Sequence, residues 1–348
     1  GWGWWARIKD RYVELIFGFY PNEAYWRPNL TFVLMLSALA PILFPVLPRK
    51  MLLLSLAYPA LAYWLLWGGS IWSPALIMLG LGLAFVVFVK VSESRNAILG
   101  GALTIGHFLV WFFVILGPLS AGISALVPIG LAPVESEMFG GFMLSVIIGV
   151  TGITASLPLG ILLALGRKSD MPFLKTICVG FIEFIRGVPL ITLLFVASVL
   201  LNLFLPPGTS FDIILRVVVM VTLFASAYLA EVVRGGLAGL PKGQHEAANA
   251  LGFDYWKSMR LIILPQALKI SIPAIVSTFI GLFKDTTLVS IIGLFDPIGL
   301  AKAIRADTDW NGIVWELYVF IAAIFFIFCY SMSRYSMYLE QKLETENR

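Results

Sequence analysis

The chain has 348 residues, 59% hydrophobic and only 13% charged, with a mean hydropathy of +0.92. Globular domains carry about 25% charged residues, and a single soluble core stops growing near about 250–300 residues. So much apolar surface excludes a soluble fold, and the net charge of +4 matters less than where the cations fall.

The sequence opens on Gly1 without an initiating methionine, which leads us to expect a native start upstream, and no signal peptide is visible. Residues 1–29 mix Trp2, Trp4, Trp5, Tyr12, Phe17, Phe19, Tyr20, Tyr25 and Trp26 with arginine and lysine. That pattern suits an amphipathic helix lying on a membrane surface. A spanning helix needs about 20 apolar residues. Such runs lie at 30–48, 51–67, 72–89, 98–118, 139–165, 173–205, 212–233, 262–283 and 310–338. The predicted fold is therefore an all-α polytopic bundle of about nine spans. Residues 286–300 are also apolar, but Asp296-Pro297 interrupts them. They read as a half-helix or re-entrant turn, tolerable only under protein cover.

An odd number of spans puts the termini on opposite sides. With the C-terminus in the cytoplasm, the inner cations are Arg49, Lys50, Lys90, Arg95, Arg167, Lys168, Lys175, Arg234, Lys242, Lys257, Arg260, Lys269, Arg334, Lys342 and Arg348. The outer set is Arg7, Lys9, Arg11, Arg27, Arg216, Lys302 and Arg305, with Arg186 and Lys284 near or inside the membrane. The positive-inside rule selects this orientation, a multi-pass protein with a cytoplasmic C-terminus and residues 1–29 on the outer face.

Cys178 and Cys329 sit in apolar runs and read as reduced, lipid-buried hydrophobes. His107 stands without a Cys/His cluster and reads as a packing or cavity-facing residue, so no metal is expected. No G-x-x-x-x-G-K-[ST], H-E-x-x-H or G-x-S-x-G occurs. The chain thus offers no nucleotide cradle, no catalytic residues and no cofactor site of its own.

The longest charged interruption among the later spans is EVVRGGLAGLPKGQHEAANALGFDYWKSMRLIILP at 231–265. Pro241 and Gly243 break the preceding span. Gln244 to Leu251 reads as a short helix with Ala247, Ala250 and Leu251 on one face, and Glu246 in its first turn complements the helix dipole. Gly252 stands where a left-handed C-terminal cap belongs. Asp254 caps a second helix, Tyr255–Leu264, ended by Pro265. The expectation is a helix–turn–helix knuckle.

Glu246-Ala247-Ala248, then Gly252, then Ile262 or Ile263 with Leu264-Pro265 resembles the EAA loop of membrane subunits in type I ABC importers. FIEFIRGVPLITLLF (181–195), AEVVRGGL (230–237), LPQALKISIPAIV (264–276) and LFKDTTLVSIIGLFD (282–296) are similar to the polar-amino-acid branch, nearest the M-type subunit of general L-amino-acid permeases. The resemblance implies a five-helix importer core at 138–340 with its loop at 241–265, and accessory spans at 30–120. Within these, 70–120 departs from the resemblance as an inserted hairpin. It also implies a bacterial inner-membrane location, ATP and Mg on separate ATPase subunits, a second paralogous permease subunit, a periplasmic amino-acid-binding protein, lipid contact, and no nucleic acid. Gln244, Glu246, Ala247, Ala248, Gly252, Leu264 and Pro265 are then the residues that couple to the ATPase.

Ionisable groups inside a membrane line cavities or pair with each other. Lys284, Asp285, Thr286, Thr287 and Ser290 combine one base, one acid and several hydroxyls, the groups a zwitterionic amino acid needs. Glu183 with Arg186 and Glu231 with Arg234 are three apart and expected to form structural ion pairs. An ion-coupled secondary amino-acid transporter is the alternative, but the halves show no clear repeat and the knuckle has no purpose there.

Overall fold

The computed structural model describes residues 3–44, 46–94, 97–200, 203, 211–308 and 315–345. Expectations resting on Trp2, Arg95 and Arg348, and on the side chains of Trp4, Trp5 and Arg7, lie outside what it describes. The chain divides into two compact units, one of residues 1–19 with 139–348 and the other of residues 20–138. The division differs from the expected one, which set 1–29 apart. Helix α1 (Gly3–Phe17) belongs with the C-terminal unit because Leu15 is fully buried among Phe142, Leu300 and Leu317. Arg11 adds an ion pair to Asp307.

Residues 20–138 hold α2 (Trp26–Leu43), α3 (Leu52–Trp67), α4 (Trp72–Ser94), α5 (Ala97–Val110), a π turn (Trp111–Ile115) and α6 (Leu116–Leu126). A two-residue β1 (Gly69–Ser70) pairs antiparallel with β2 (Gly130–Leu131) at the base of the last two spans. The hairpin above it is laced by polar groups. Ser70 meets Ser124 and Ser73 meets Ser120, each at 2.8 Å. Trp111 Nε1 donates to the Leu76 carbonyl and His107 Nε2 contacts the Gly80 carbonyl, each at 3.1 Å. His107 thus serves packing. In lipid such cross-helix contacts hold apolar helices together at about 0.6 kcal/mol each.

The C-terminal unit adds α7 (Gly141–Arg167), α8 (Pro172–Gly187), α9 (Leu190–Phe195), α10 (Ile213–Ala238), α11 (Lys242–Ala250), α12 (Tyr255–Ser258), α13 (Leu264–Asp285), α14 (Pro297–Ala306) and α15 (Trp315–Thr345). Helices α7 and α10 run parallel, since Gly152 abuts Val221 and Gly160 abuts Leu229. They approach closely because Gly152, Ser156, Gly160 and Ala164 form a buried small-residue stripe. A Cβ on Gly160 would lie 2.7 Å from Leu229 Cβ. Helix α13 runs the other way, with Ala267 and Ser271 beside Gly236 and Leu282 beside Gly152.

Eight helices among the described residues suffice to cross a membrane, or nine if one bent pair counts as a span. That pair is α8 and the stretch Leu190–Leu200, which meet at 101°. The straight span expected at 173–205 is therefore broken. Val188 precedes Pro189, which bars it from the helical region, and Val188 is extended. Because α7 and α10 are parallel, the chain between them must return across the membrane, so the broken pair supplies the ninth crossing.

The break expected over 286–300 is shorter and falls at 293–296, because residues 286–292 continue the preceding helix. A 3₁₀ turn (Thr286–Ile292) ends at left-handed Gly293, and Asp296 then caps α14 by accepting from Ile298 N and Gly299 N at 3.1 and 2.9 Å. Protein covers it, since Val289, Asp296 and Leu300 have no exposed surface.

Candidate functional site

The knuckle forms at one end of the C-terminal unit, where α10 stops and Pro241 precedes α11. Helix α11 begins at Lys242, two residues earlier than expected. Glu246 therefore falls outside the first turn and gains little from the helix dipole, which fades within that turn. Gly252 closes α11 at φ +71°. Phe253 N donates to the Ala248 carbonyl and Gly252 N to the Asn249 carbonyl, at 3.2 and 2.9 Å, which is a Schellman closure. Asp254 Oδ1 accepts from Lys257 N at 2.9 Å and caps the next helix, as expected.

That second helix does not end at Pro265. It continues through a π turn (Met259–Ile263) into α13, giving one helix from Tyr255 to Ile292. Leu264 N reaches back five residues to the Met259 carbonyl. The wider turn spares the Pro265 ring its usual clash with the carbonyl four residues earlier. The outer arm of the knuckle is thus continuous with a transmembrane helix.

The two faces of α11 differ. Ala248 is fully buried, and Gln244 Oε1 accepts from Gln266 Nε2 at 2.9 Å, so this face binds the chain's own α12–α13 arm. Ala248 therefore makes its close approach inside its own chain, which corrects its expected place at a partner surface. Ala247 and Ala250 are exposed, and Leu251 is 65% exposed beside Tyr255 and Trp256 at 50% and 61%. Below them Ala164, Ile182, Val233, Leu237, Ile263 and Ala267 form a common core that fixes the knuckle to α7, α8, α10 and α13, with Leu264 against it.

Five charged side chains sit beside that core. Arg167 Nη1 donates to Glu231 Oε1 at 2.7 Å and to Glu183 Oε1 at 2.9 Å. Arg234 Nε donates to Glu231 Oε2 at 3.0 Å. Arg186 lies 3.8 Å from the same oxygen and 5.7 Å from the Tyr228 ring centre. The expected pair of Glu231 with Arg234 is present. Glu183 and Arg186 do not pair with each other, because Arg167 of α7 reaches Glu183 and Glu231 of α10 draws Arg186 away. Sequence spacing could not reveal Arg167 as a member, since its partners lie 16 and 64 residues on.

At the other end of α13, Lys284 is exposed and Asp285 half-buried. The Thr287 and Ser290 hydroxyls donate to the Lys284 and Thr287 carbonyls at 2.9 and 3.0 Å. Thr286 is buried, donates to the Phe283 carbonyl and turns its methyl toward Gly149 of α7. It faces a neighbouring helix, which removes it from any path. Asp296, between the spans, has its carboxyl pushed up to about 6 by burial, against the pull of two backbone N–H groups and Lys302.

A family model for binding-protein-dependent transport system inner membrane components matches residues 156–345. The chain is 55% identical over 345 residues to the glutamate/glutamine/aspartate/asparagine transport system permease protein BztC of Rhodobacter capsulatus, covering 99% of this chain and 80% of that one. It is 42% identical over 344 residues to the inner membrane amino-acid ABC transporter permease protein YhdY of Escherichia coli, covering 98% and 78%. Both alignments run across the 70–120 segment. The probable glutamine ABC transporter permease protein GlnM of Bacillus subtilis aligns with 60% of this chain and 94% of its own, at 32% identity. A crystal structure of an amino acid ABC transporter with histidines superposes with a TM-score of 0.51 at 31% identity, over 57% of this chain and 90% of that chain. The match to the family model, the full-length relatives and the helical core leave one assignment: the chain belongs to the inner-membrane components of binding-protein-dependent transport systems and is the permease subunit of an ABC importer.

Proposed function

We propose that this subunit carries L-amino acids inward across a bacterial inner membrane, driven by ATP hydrolysis on separate ATPase subunits that dock on the knuckle. The observation that carries this reading is the two-faced α11. Its inner face is tied to the chain by Ala248 and Gln244, while Ala247, Ala250 and Leu251 are left outward on a helix of fixed orientation. In this reading Glu246 orients the docking helix, Gly252 shapes its turn, and Leu264 and Pro265 join it to α13. Lys168, Lys175, Lys242, Lys257, Arg260 and Lys269 lie toward the knuckle end, which supports a cytoplasmic knuckle and a cytoplasmic C-terminus. Amino acids are favoured as cargo because the relatives are named for their transport. A second, paralogous permease subunit and a periplasmic amino-acid-binding protein complete the assembly. Segment 70–120 is proposed as an accessory hairpin.

Purification from native membranes tests this directly. The companion chains, identified by mass, should include an ATPase bound to wild type and lost when Leu251 and Ala247 are replaced by Asp. Retention of the ATPase by that double variant would remove the knuckle as its dock. Lys284, Asp285, Thr287 and Ser290 are proposed to line the path. Asp285→Asn should change the KM of uptake in reconstituted vesicles at least threefold while sparing assembly, and unchanged kinetics for neutral and charged amino acids would exclude it.

A further inference from the structure

The charged cluster beside the knuckle core joins three helices. Arg167 comes from the last residue of α7, Glu183 and Arg186 from the last turns of α8, and Glu231 and Arg234 from the closing third of α10. Glu231 is the least exposed of the five, and its two oxygens face three arginines. A carboxylate so placed cannot be removed without leaving like charges crowded at the membrane edge. The cluster also sits where the chain bends. Arg186 is followed by Gly187, Val188 and Pro189, and the path turns there by 101°. The rest of α8 is held by the apolar side chains of Cys178, Ile182 and Ile185. Ile185 packs there with Leu193 and Ala227, and such apolar contacts are non-directional. The ionic contacts fix where along α10 the end of α8 sits.

Resting on the reading that the knuckle receives the ATPase, we propose that Glu231 and Arg167 are positioning residues for transport: they clamp the ends of α7, α8 and α10 into one body, so that the bent pair α8–α9 follows the knuckle when it moves. Helix α10 leads into the knuckle seven residues after Glu231. Displacement of the knuckle therefore reaches Glu231 through one stretch of helix, and α8 through Arg167 and Arg186. Without the clamp, only apolar packing ties the bend to the knuckle, and the bend follows less closely.

The test uses the complete transporter in proteoliposomes, with ATP hydrolysis and amino-acid uptake measured together. Glu231→Gln should assemble and keep hydrolysis within about twofold, while uptake per ATP falls about tenfold, inside the roughly 5–150-fold range of ordinary coupling. A residue serving stability alone would lower the amount of complex and leave uptake per ATP unchanged, which overturns the proposal. If Glu231→Gln fails to assemble, Arg167→Gln and Arg234→Gln decide singly, and wild-type uptake per ATP in both overturns it. A second readout needs no ATPase. Trypsin cleavage after the exposed Lys168, in the α7–α8 turn, should accelerate at least threefold in the solubilised Glu231→Gln protein, because local opening governs such cutting. An unchanged cleavage rate overturns the clamp. Wild-type vesicles that show no ATP-dependent uptake would instead refute the functional reading, and the cleavage arm would still judge the clamp.

Discussion

Gly252 shows how one residue carries a turn. Its φ of +71° lies in the left-handed region, and a Cβ there would meet nothing within 4 Å. Substitution costs backbone strain of about 1–2 kcal/mol and no clash. Gly252→Leu should therefore leave the subunit folded but uncouple ATP hydrolysis from uptake, and normal coupled transport in reconstituted vesicles would exclude a role for this turn. Asp296 makes a second case. Its folded carboxyl titrates near 6, above an unfolded value of about 3.9. The folded chain thus holds an extra proton between these values, so wild type loses stability as pH rises from about 4 to about 6, by at most roughly 3 kcal/mol. Asn caps a helix as well as Asp. Asp296→Asn should abolish that loss, read as a change in the difference between the unfolding temperatures of the solubilised protein at pH 4.5 and 7, with the pH 7 value gaining on the pH 4.5 value relative to wild type. The left-handed turn at Gly252 and the Asp254 cap were legible in the sequence because both depend on neighbours a few residues away. The crossed pairing of Glu183 and Arg186 was not, because it depends on which helix lies alongside.

At the scale of elements, the spans were legible from apolar length alone, which lipid dictates almost without regard to tertiary context. What escaped was their internal grammar. The break at Val188-Pro189 is written in the sequence, yet the apolar run across it reads as continuous. Pro265 gave the opposite error, because a π turn carries the helix past a residue that ordinarily stops it. The stripe of Gly152, Ser156, Gly160 and Ala164 is also visible at four-residue spacing, but its partner α10 is not. Gly160→Leu should separate α7 from α10, since its Cβ would meet Leu229, the Ser226 carbonyl and Ala230 N. Overpacking of this kind costs about 1–3 kcal/mol or more. The check is a lower unfolding temperature than that of Gly281→Leu, where a Cβ meets nothing within 4 Å.

For the whole molecule, one hairpin within residues 20–138 closes on itself. Ile71 N donates to the Ile129 carbonyl at 3.2 Å, so the ends of the hairpin between them are adjacent. Excising residues 72–126 takes out two crossings and preserves the sidedness of everything after them. The shortened chain should still be isolated with its ATPase, and loss of the complex on purification would show the hairpin to be integral. GlnM aligns over 94% of its own length with 60% of this chain, so that relative matches without the remaining two-fifths.

The unbroken helix from Tyr255 to Ile292 has a mechanical consequence. At about 1.5 Å per residue its 38 residues make a rod roughly 57 Å long. Its near end carries the aromatic pair Tyr255 and Trp256 beside the knuckle, and its far end carries Lys284, Asp285 and Ser290. Buried residues run along it from Met259 through Ser271 and Ile275 to Val289, so it is packed over its whole length and has no single pivot. A push on the knuckle end would therefore carry the far end with it, without any signal passing through side chains.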